Sequence, residues 1–259
     1  MSGFYIGIDG KARKVKGGYI GIDGKARKIK KGYIGDANGV ARLCYVSSPY
    51  DPVFANNSWE DIVDACQKNA VPDTWCVGDQ KVMTIQKQDY VFDIIGKNHD
   101  EYSDGSGKAP LTFQMHDFSG GDTVMNSIRS NLEGWESSEM RDRLYNELYI
   151  LPDFIHKSVK QVNKKTSEGA KVATIHTTAE WLFLLSEVEV TGNNKYSFAG
   201  EGTQYDYYTN ADNRKKSRSW WLRSPYYDSL NHFCVINSYG LNDYQDANYN
   251  SGMSYAFCF

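Results

Sequence analysis

Trp220-Trp221-Leu222-Arg223-Ser224-Pro225, with the run that follows it to Phe259, breaks in composition from everything before it. Charged residues make up 24% of the chain, yet from Tyr226 to Phe259 there is no Lys, Arg or Glu. Tyr, Asn, Ser and Asp take most positions instead, as in Tyr226-Tyr227-Asp228-Ser229 and Asn242-Asp243-Tyr244-Gln245-Asp246-Ala247-Asn248-Tyr249-Asn250-Ser251. Tyr offers a large, rigid, amphipathic contact at low entropy cost, and Asn, Ser and Asp supply adaptable hydrogen bonds, so this is the palette of a binding surface. A polar tail that never orders has a similar Asn and Ser content. Against it stand Phe233-Cys234-Val235-Ile236 and Tyr255-Ala256-Phe257-Cys258-Phe259, apolar runs bounded by turn residues that read as buried strands. Trp220, Trp221 and Leu222 read as the core anchor of the polar segment, and Arg223 as an internal partner of a carboxylate or of carbonyls.

Working outward, the 259 residues have room for one large domain with an appendage. Mean hydropathy is −0.58, and no apolar run approaches the length of a membrane helix. Met1-Ser2-Gly3-Phe4 lacks the apolar stretch of a secretory signal, so synthesis and folding in a reducing cytoplasm are expected. Cys44, Cys66, Cys76, Cys234 and Cys258 form no CxxC pair and no zinc-ligand spacing, and suit buried free thiols.

The net charge of −3 hides an asymmetry. Residues 1–43 carry ten Lys and Arg against three Asp, a net +7, which leaves −10 on the remainder. The basic segment repeats every fourteen residues: Tyr5-Ile6-Gly7-Ile8-Asp9-Gly10-Lys11-Ala12-Arg13-Lys14-Val15-Lys16, a near copy from Tyr19 to Lys30, and a divergent copy from Tyr33 to Leu43. A short β-prone run, an Asp-Gly or Asn-Gly turn and a second run form a hairpin signature. So short a unit buries no face alone and must stack on another surface. The basic side chains would also suit a polyanion, but Tyr and Gly recurring in register favour a structural arm for attachment or oligomerisation over nucleic-acid binding. The domains expected are 1–45, the arm, and 46–259, the body.

In the body, Ser58-Trp59-Glu60-Asp61 opens a capped helix running to Cys66. Val77–Ile85, Tyr90–Gly96 and Leu111–Met115 read as strands. Helices are expected over Thr123–Leu132, Ser138–Leu148 and Thr178–Leu185. Strands mixed with helices, without βαβ alternation, predict an α+β domain.

Signals for chemistry are weak. His99-Asp100 and His116-Asp117 are sequence neighbours with no nucleophile elbow, and read as turn or helix-start hydrogen bonders. Asp104-Gly105-Ser106-Gly107 and Asp36-Ala37-Asn38-Gly39 complete no EF-hand and read as turns. No P-loop or dinucleotide-binding glycine motif is present. No catalytic residue, metal or cofactor is expected.

Trp220–Pro225, Phe233-Cys234-Val235, Gly240 and Gly252-Met253-Ser254-Tyr255-Ala256-Phe257 resemble the variable proteins of diversity-generating retroelements of bacterial and prophage genomes. The resemblance extends through Ser58-Trp59, Val77-Gly78-Asp79-Gln80-Lys81, Ile95-Gly96-Lys97-Asn98-His99-Asp100, Met140-Arg141 and Glu201-Gly202-Thr203-Gln204-Tyr205. It implies a C-type lectin-like fold preceded by the short β-hairpin repeat arm, and a hypervariable segment over 226–251. Adenine mutagenesis of AAC-type or AAT-type codons cannot yield Lys, Glu, Gln, Met or Trp, which would give the missing Lys and Glu a genetic cause. Gln245 and Met253 depart from that pattern, and Met253-Ser254-Tyr255 stands where the family more often has a Val-Arg-Pro-like sequence. Carried over by position, the ligand contacts would be Tyr226, Tyr227, Asp228, Asn231, His232, Asn237, Tyr239, Asn242, Asp243, Tyr244, Asp246, Asn248, Tyr249 and Asn250. Trp220, Trp221, Arg223, Phe233, Gly240, Gly252 and Phe257 would be scaffold. The calcium and sugar motifs of lectins (Glu-Pro-Asn, Gln-Pro-Asp, Trp-Asn-Asp) are missing, so the fold implies no sugar.

The expectation is a non-enzymatic protein that binds a cell-surface or other protein ligand, the virion-associated recognition element of a phage or prophage. Its arm would attach it to the particle or to its own copies, adding avidity. The alternatives are a structural particle protein whose Tyr-rich end packs against a neighbour, and a hydrolase using His116 and Asp117.

Overall fold

The computed structural model describes residues 5–8, 11–14, 18–22, 24–29, 31–35, 41–46, 48–118 and 120–259. The chain divides into two compact units, Met1–Asp51 and Pro52–Phe259. In the first unit, β1 (Tyr5–Ile8) pairs with β2 (Lys11–Lys14), β3 (Tyr19–Ile22) with β4 (Lys25–Lys28), and β5 (Lys31–Gly35) with β6 (Ala41–Val46), each pair antiparallel. The repeat is kept in register, with Tyr5 opposite Lys14 and Tyr19 opposite Lys28. Gly24 has φ 71°, the left-handed conformation that an Asp-Gly hairpin turn demands. The turn signals Asp9-Gly10 and Asn38-Gly39, the calcium candidate Asp36–Gly39 and the Cys44 side chain lie outside the described residues.

The second unit has mixed α+β architecture. Helix α1 (Trp59–Gln67) begins where its sequence signal stands: the Ser58 hydroxyl accepts from the Asp61 amide and the Asp61 carboxylate accepts from the Ser58 amide. Strands β7 (Gln80–Ile85), β8 (Gln88–Lys97) and β9 (Leu111–Met115) follow, then α2 (Glu139–Glu147), capped by Ser138, and the short α3 (Asp153–Ser158). A long hairpin comes next, β10 (Val162–Gly169) and β11 (Val172–Glu180), then β12 (Leu182–Phe183) and α4 (Glu187–Thr191). The chain ends in β13 (Trp220–Pro225), β14 (His232–Ile236), β15 (Asn242–Asp246) and β16 (Ala256–Cys258).

Two larger sheets and the separate two-stranded β10–β11 hairpin organise these strands. The larger has the order β12-β16-β9-β8-β7, and β16 sits inside it with Phe257 opposite Phe113 on one side and Leu182 on the other. Phe257 stacks on Phe113 at 5.5 Å, and Phe92, Trp59 and Phe259 meet Phe257 edge-on or tilted. This aromatic layer explains why Tyr255–Phe259 carries no polar side chain beyond the Tyr255 hydroxyl: both faces and both edges of the strand are occupied. The smaller sheet is the meander β13-β14-β15.

Two expected helices are absent. Thr123–Leu132 is an irregular segment whose amides are spent on distant carbonyls: Thr123 on Ser251, Met125 and Asn126 on Ala247, Asn131 on Leu230. Thr178–Leu185 is the end of β11 followed by β12, because a short continuous apolar run has no period of its own and the sheet edge beside β16 takes it. Cys66, Cys234 and Cys258 are buried free thiols, but Cys76 is exposed. Among the described residues no helix is long and apolar enough to cross a membrane.

Candidate functional site

Strand β13 carries the least ordinary residue of the core. Arg223 is fully buried and holds Glu189 at the start of α4 with both ends of its guanidinium, Nη1 to Oε2 at 2.5 Å and Nη2 to Oε1 at 2.9 Å. Its remaining donors go to the carbonyls of Leu184 (2.8 Å), Glu201 (3.1 Å) and Lys165 (3.1 Å) and to the Thr166 hydroxyl (3.0 Å). Lys164, also buried, donates to Asp100 at 2.7 Å and to the Tyr205 hydroxyl at 3.0 Å, and forms an ion pair with Glu189 at 2.7 Å. Two cations and two carboxylates thus balance. Burial alone would raise Asp100 and Glu189, but Lys164 beside the first and Arg223 with Lys164 beside the second outweigh it and hold both below the usual carboxylate range. Glu201 is the carboxyl left over. Burial raises it above the usual range, only partly offset by hydrogen bonds from Ser224 and the Ser167 amide.

Arg223 therefore plays the internal role its sequence context suggests, whereas Asp100 is no turn residue: it belongs to this buried cluster, and its neighbour His99 stacks on Tyr205 at 3.9 Å. His116 is bonded to Asp93. Its Nδ1 lies 2.9 Å from Asp93 Oδ2, a hydrogen bond that raises its pKa against the opposing effect of burial, while Asp117 accepts from Ser217 at 3.3 Å. Asp104 closes a turn by accepting from the Ser106 amide. Among the described residues no three His, Cys, Asp or Glu side chains converge to hold a metal ion.

The surface expected to bind lies on β14, β15 and the loops around them. None of the candidate contacts from Tyr226 to Asn250 is buried, and every scaffold candidate is. The two glycines have separate reasons. Gly240 takes φ 79° in the β14–β15 turn; a Cβ on Gly252 would lie 2.3 Å from the Phe118 ring, because this backbone bonds to Trp221 and Ser219 while packed beneath that ring.

The candidates separate by what their side chains already do. Tyr226 and Tyr244 stack at 4.3 Å with an 18° interplanar angle, and Tyr196 and His232 meet Tyr244 edge-on at 5.2 and 5.3 Å. These rings form a rigid aromatic patch. His232 Nδ1 contacts the Ser229 hydroxyl, and its Nε2 lies 3.1 Å from Asp246, across from it in the β14–β15 ladder. Arg129 Nε reaches the same Asp246 oxygen at 2.6 Å. Asn237 accepts from the amides of Tyr239 and Leu241 and so shapes the turn. Asn242 donates to the buried Glu187 at 2.6 Å, fastening β15 to α4. Asp228 pairs with Lys171 at 3.0 Å. Tyr239, Asn248, Tyr249 and Asn250 have no side-chain hydrogen bond to any described residue, and Tyr239 is 76% exposed.

Sequence reasoning missed the residues that hold this surface from outside. Tyr196 extends the aromatic patch, Glu187 anchors Asn242, and Arg129 braces Asp246. Asn131 is fully buried; its Nδ2 donates to the Ser229 and His232 carbonyls at 3.0 and 2.9 Å, and its Oδ1 accepts from the Ala170 amide in the β10–β11 turn. No local pattern marks any of them, since each acts on a strand or loop far along the chain.

Residues 114–259 match the family described as a domain of unknown function, DUF6273. The match covers more than half of the chain, which belongs to that family. It takes in the whole candidate surface and, of the ionic cluster, everything but Asp100. Searches among curated proteins and solved structures give no match.

Proposed function

We propose that this chain is a non-enzymatic ligand-binding protein, similar to the variable proteins of diversity-generating retroelements, whose segment 226–251 is a diversified recognition surface on a C-type lectin-like body. The observation that carries it is the division within one meander: Tyr, Asn and Asp side chains stand at the surface, while Trp220, Trp221, Arg223 and Phe233 are buried. Such a division lets the outward-facing residues Tyr239, Asn248, Tyr249 and Asn250 change without touching the core. The mixed α+β body agrees with a lectin-like fold, and the sequence resemblance supplies the finer assignment. Recognition of a receptor by a phage or prophage particle follows from the same resemblance, with the hairpin arm joining the protein to the particle or to further copies and adding avidity.

The test is a graft of the segment Tyr226–Asn250 from a sister variant. Ligand choice should change while the melting temperature stays nearly the same. A collapse of stability with unchanged binding would sink the proposal. Independently, the flanking DNA should hold a near-identical non-coding copy of this segment beside a reverse transcriptase gene.

A further inference from the structure

The loop Glu133–Ser137 and one face of the β10–β11 hairpin line a pocket of about 170 Å³ that shares no residue with the β14–β15 candidates. A cavity of about 150 Å³ admits benzene, so the space suits a head group of about that size. Thr166 stands opposite His176 in the ladder, and Thr178 lies two residues beyond, so alternation puts all three on the face that lines the pocket. Trp135, fully buried and fixed by a 3.0 Å bond from its indole N–H to Glu180, supports the loop that forms one side of the pocket.

The chemistry of the lining is one-sided. Glu133, Glu136 and Glu168 all contribute, and no Lys or Arg does. His176 sits between two of the carboxylates, Nδ1 3.3 Å from Glu136 and Nε2 3.7 Å from Glu168. Thr178 is 8% exposed, and its hydroxyl has no hydrogen-bond partner. A buried hydroxyl left unpaired costs free energy that a donor in the pocket would recover. The carboxylates do not converge tightly enough to hold a metal ion. A cationic head group with several N–H donors spread over a few ångströms suits them better. The pocket is also preformed. A Cβ on Gly134 would lie 2.6 Å from the Ser167 carbonyl oxygen and one on Gly169 2.0 Å from that of Asn131, so loop and hairpin are backbone to backbone.

We propose that this pocket binds a small organic cation, an alkylammonium or guanidinium group, independently of whatever the β14–β15 surface recognises. The group could belong to a free amine or to a Lys or Arg side chain of a polypeptide. Calorimetric titration of the full chain with n-butylammonium, methylguanidinium, N-acetyl-lysine methylamide and the uncharged N-acetyl-norleucine methylamide tests it. Saturable binding of the cations, weakened by salt and absent for norleucine, is expected. Equal affinity for butylammonium and the lysine derivative identifies a free amine; tighter binding of the lysine derivative identifies a polypeptide side chain. Glu136→Gln and Glu168→Gln, both at half-exposed positions that fold need not depend on, should each weaken binding about five-fold. Thr178→Val, which leaves every charge in place, should weaken it by about three- to ten-fold. The inference is overturned if no cation binds at millimolar concentration, if the norleucine derivative binds equally, or if all three variants bind like the parent.

Discussion

The buried cluster around Arg223 and the surface of β14 and β15 are built from similar polar groups, yet they answer to opposite rules. In the cluster each charge is cut off from water and is tolerable only because another charge and several hydrogen bonds face it. On the surface, water replaces any partner that is lost, and Tyr239, Asn248, Tyr249 and Asn250 need none. One strand separates them: Arg223 in β13 pairs inward with Glu189, and β14 next to it carries His232 at the border of the exposed patch. Polarity alone therefore says nothing about replaceability; burial with partners decides it.

Arg223→Met breaks the comparison at its strongest point. It leaves Glu189 short of its main partner, and a loss of about 3–5 kcal/mol is expected in denaturant unfolding. A loss below about 1 kcal/mol would mean that the cluster is not what holds β13 to α4. Gly252→Ala drives a methyl against the Phe118 ring and should cost about 1–3 kcal/mol by the same measurement. Asn242→Ala tests a surface candidate with an inward bond and should cost about 1–2 kcal/mol by leaving Glu187 under-bonded.

Glu201→Gln asks whether the unmatched carboxyl is neutral. Because its folded pKa is raised, its contribution to stability is complete below the ordinary carboxylate value and is lost as pH rises through the folded one. Asp100 and Glu189, held low, contribute in the opposite sense, above the ordinary value, and lose that contribution as pH falls. Stability measured against pH should therefore lose its Glu201 component in the Gln variant, with a change of less than about 1 kcal/mol near pH 7. An unaltered pH profile would show that Glu201 does not titrate differently on folding. The smallest effect belongs to the triple variant Tyr239→Ser, Asn248→Ser and Tyr249→Ser, expected to stay within about 0.5 kcal/mol of the parent. A large loss there would erase the distinction between surface and cluster.

Much of this contrast is legible in the chain. The capping box at Ser58, the strand over Leu111–Met115, the fourteen-residue hairpin period and the apolar anchors on either side of the polar segment are all local patterns, and local patterns survive into structure. The two misplaced helices show where that stops. Thr123–Leu132 gives amides to Leu230, Ala247 and Ser251, and Thr178–Leu185 goes to the end of β11 and the edge strand β12, so tertiary hydrogen bonding overrode weak local preference. The polar strand β15 was invisible for the converse reason: its residues are poor strand formers and pair only because β14 offers its edge.

By itself the sequence determined which segments are apolar, where charge is missing and which residues repeat, because these are properties of composition and short-range order. The tertiary structure alone decided that Asp100, Lys164, Glu189, Glu201 and Arg223 meet in one buried cluster, that Asn131 ties three segments together, and that Asn242 faces inward while Tyr239 faces out. The free energy of a polar side chain depends on the partners and the water around it, and both are set by parts of the chain that are distant in sequence.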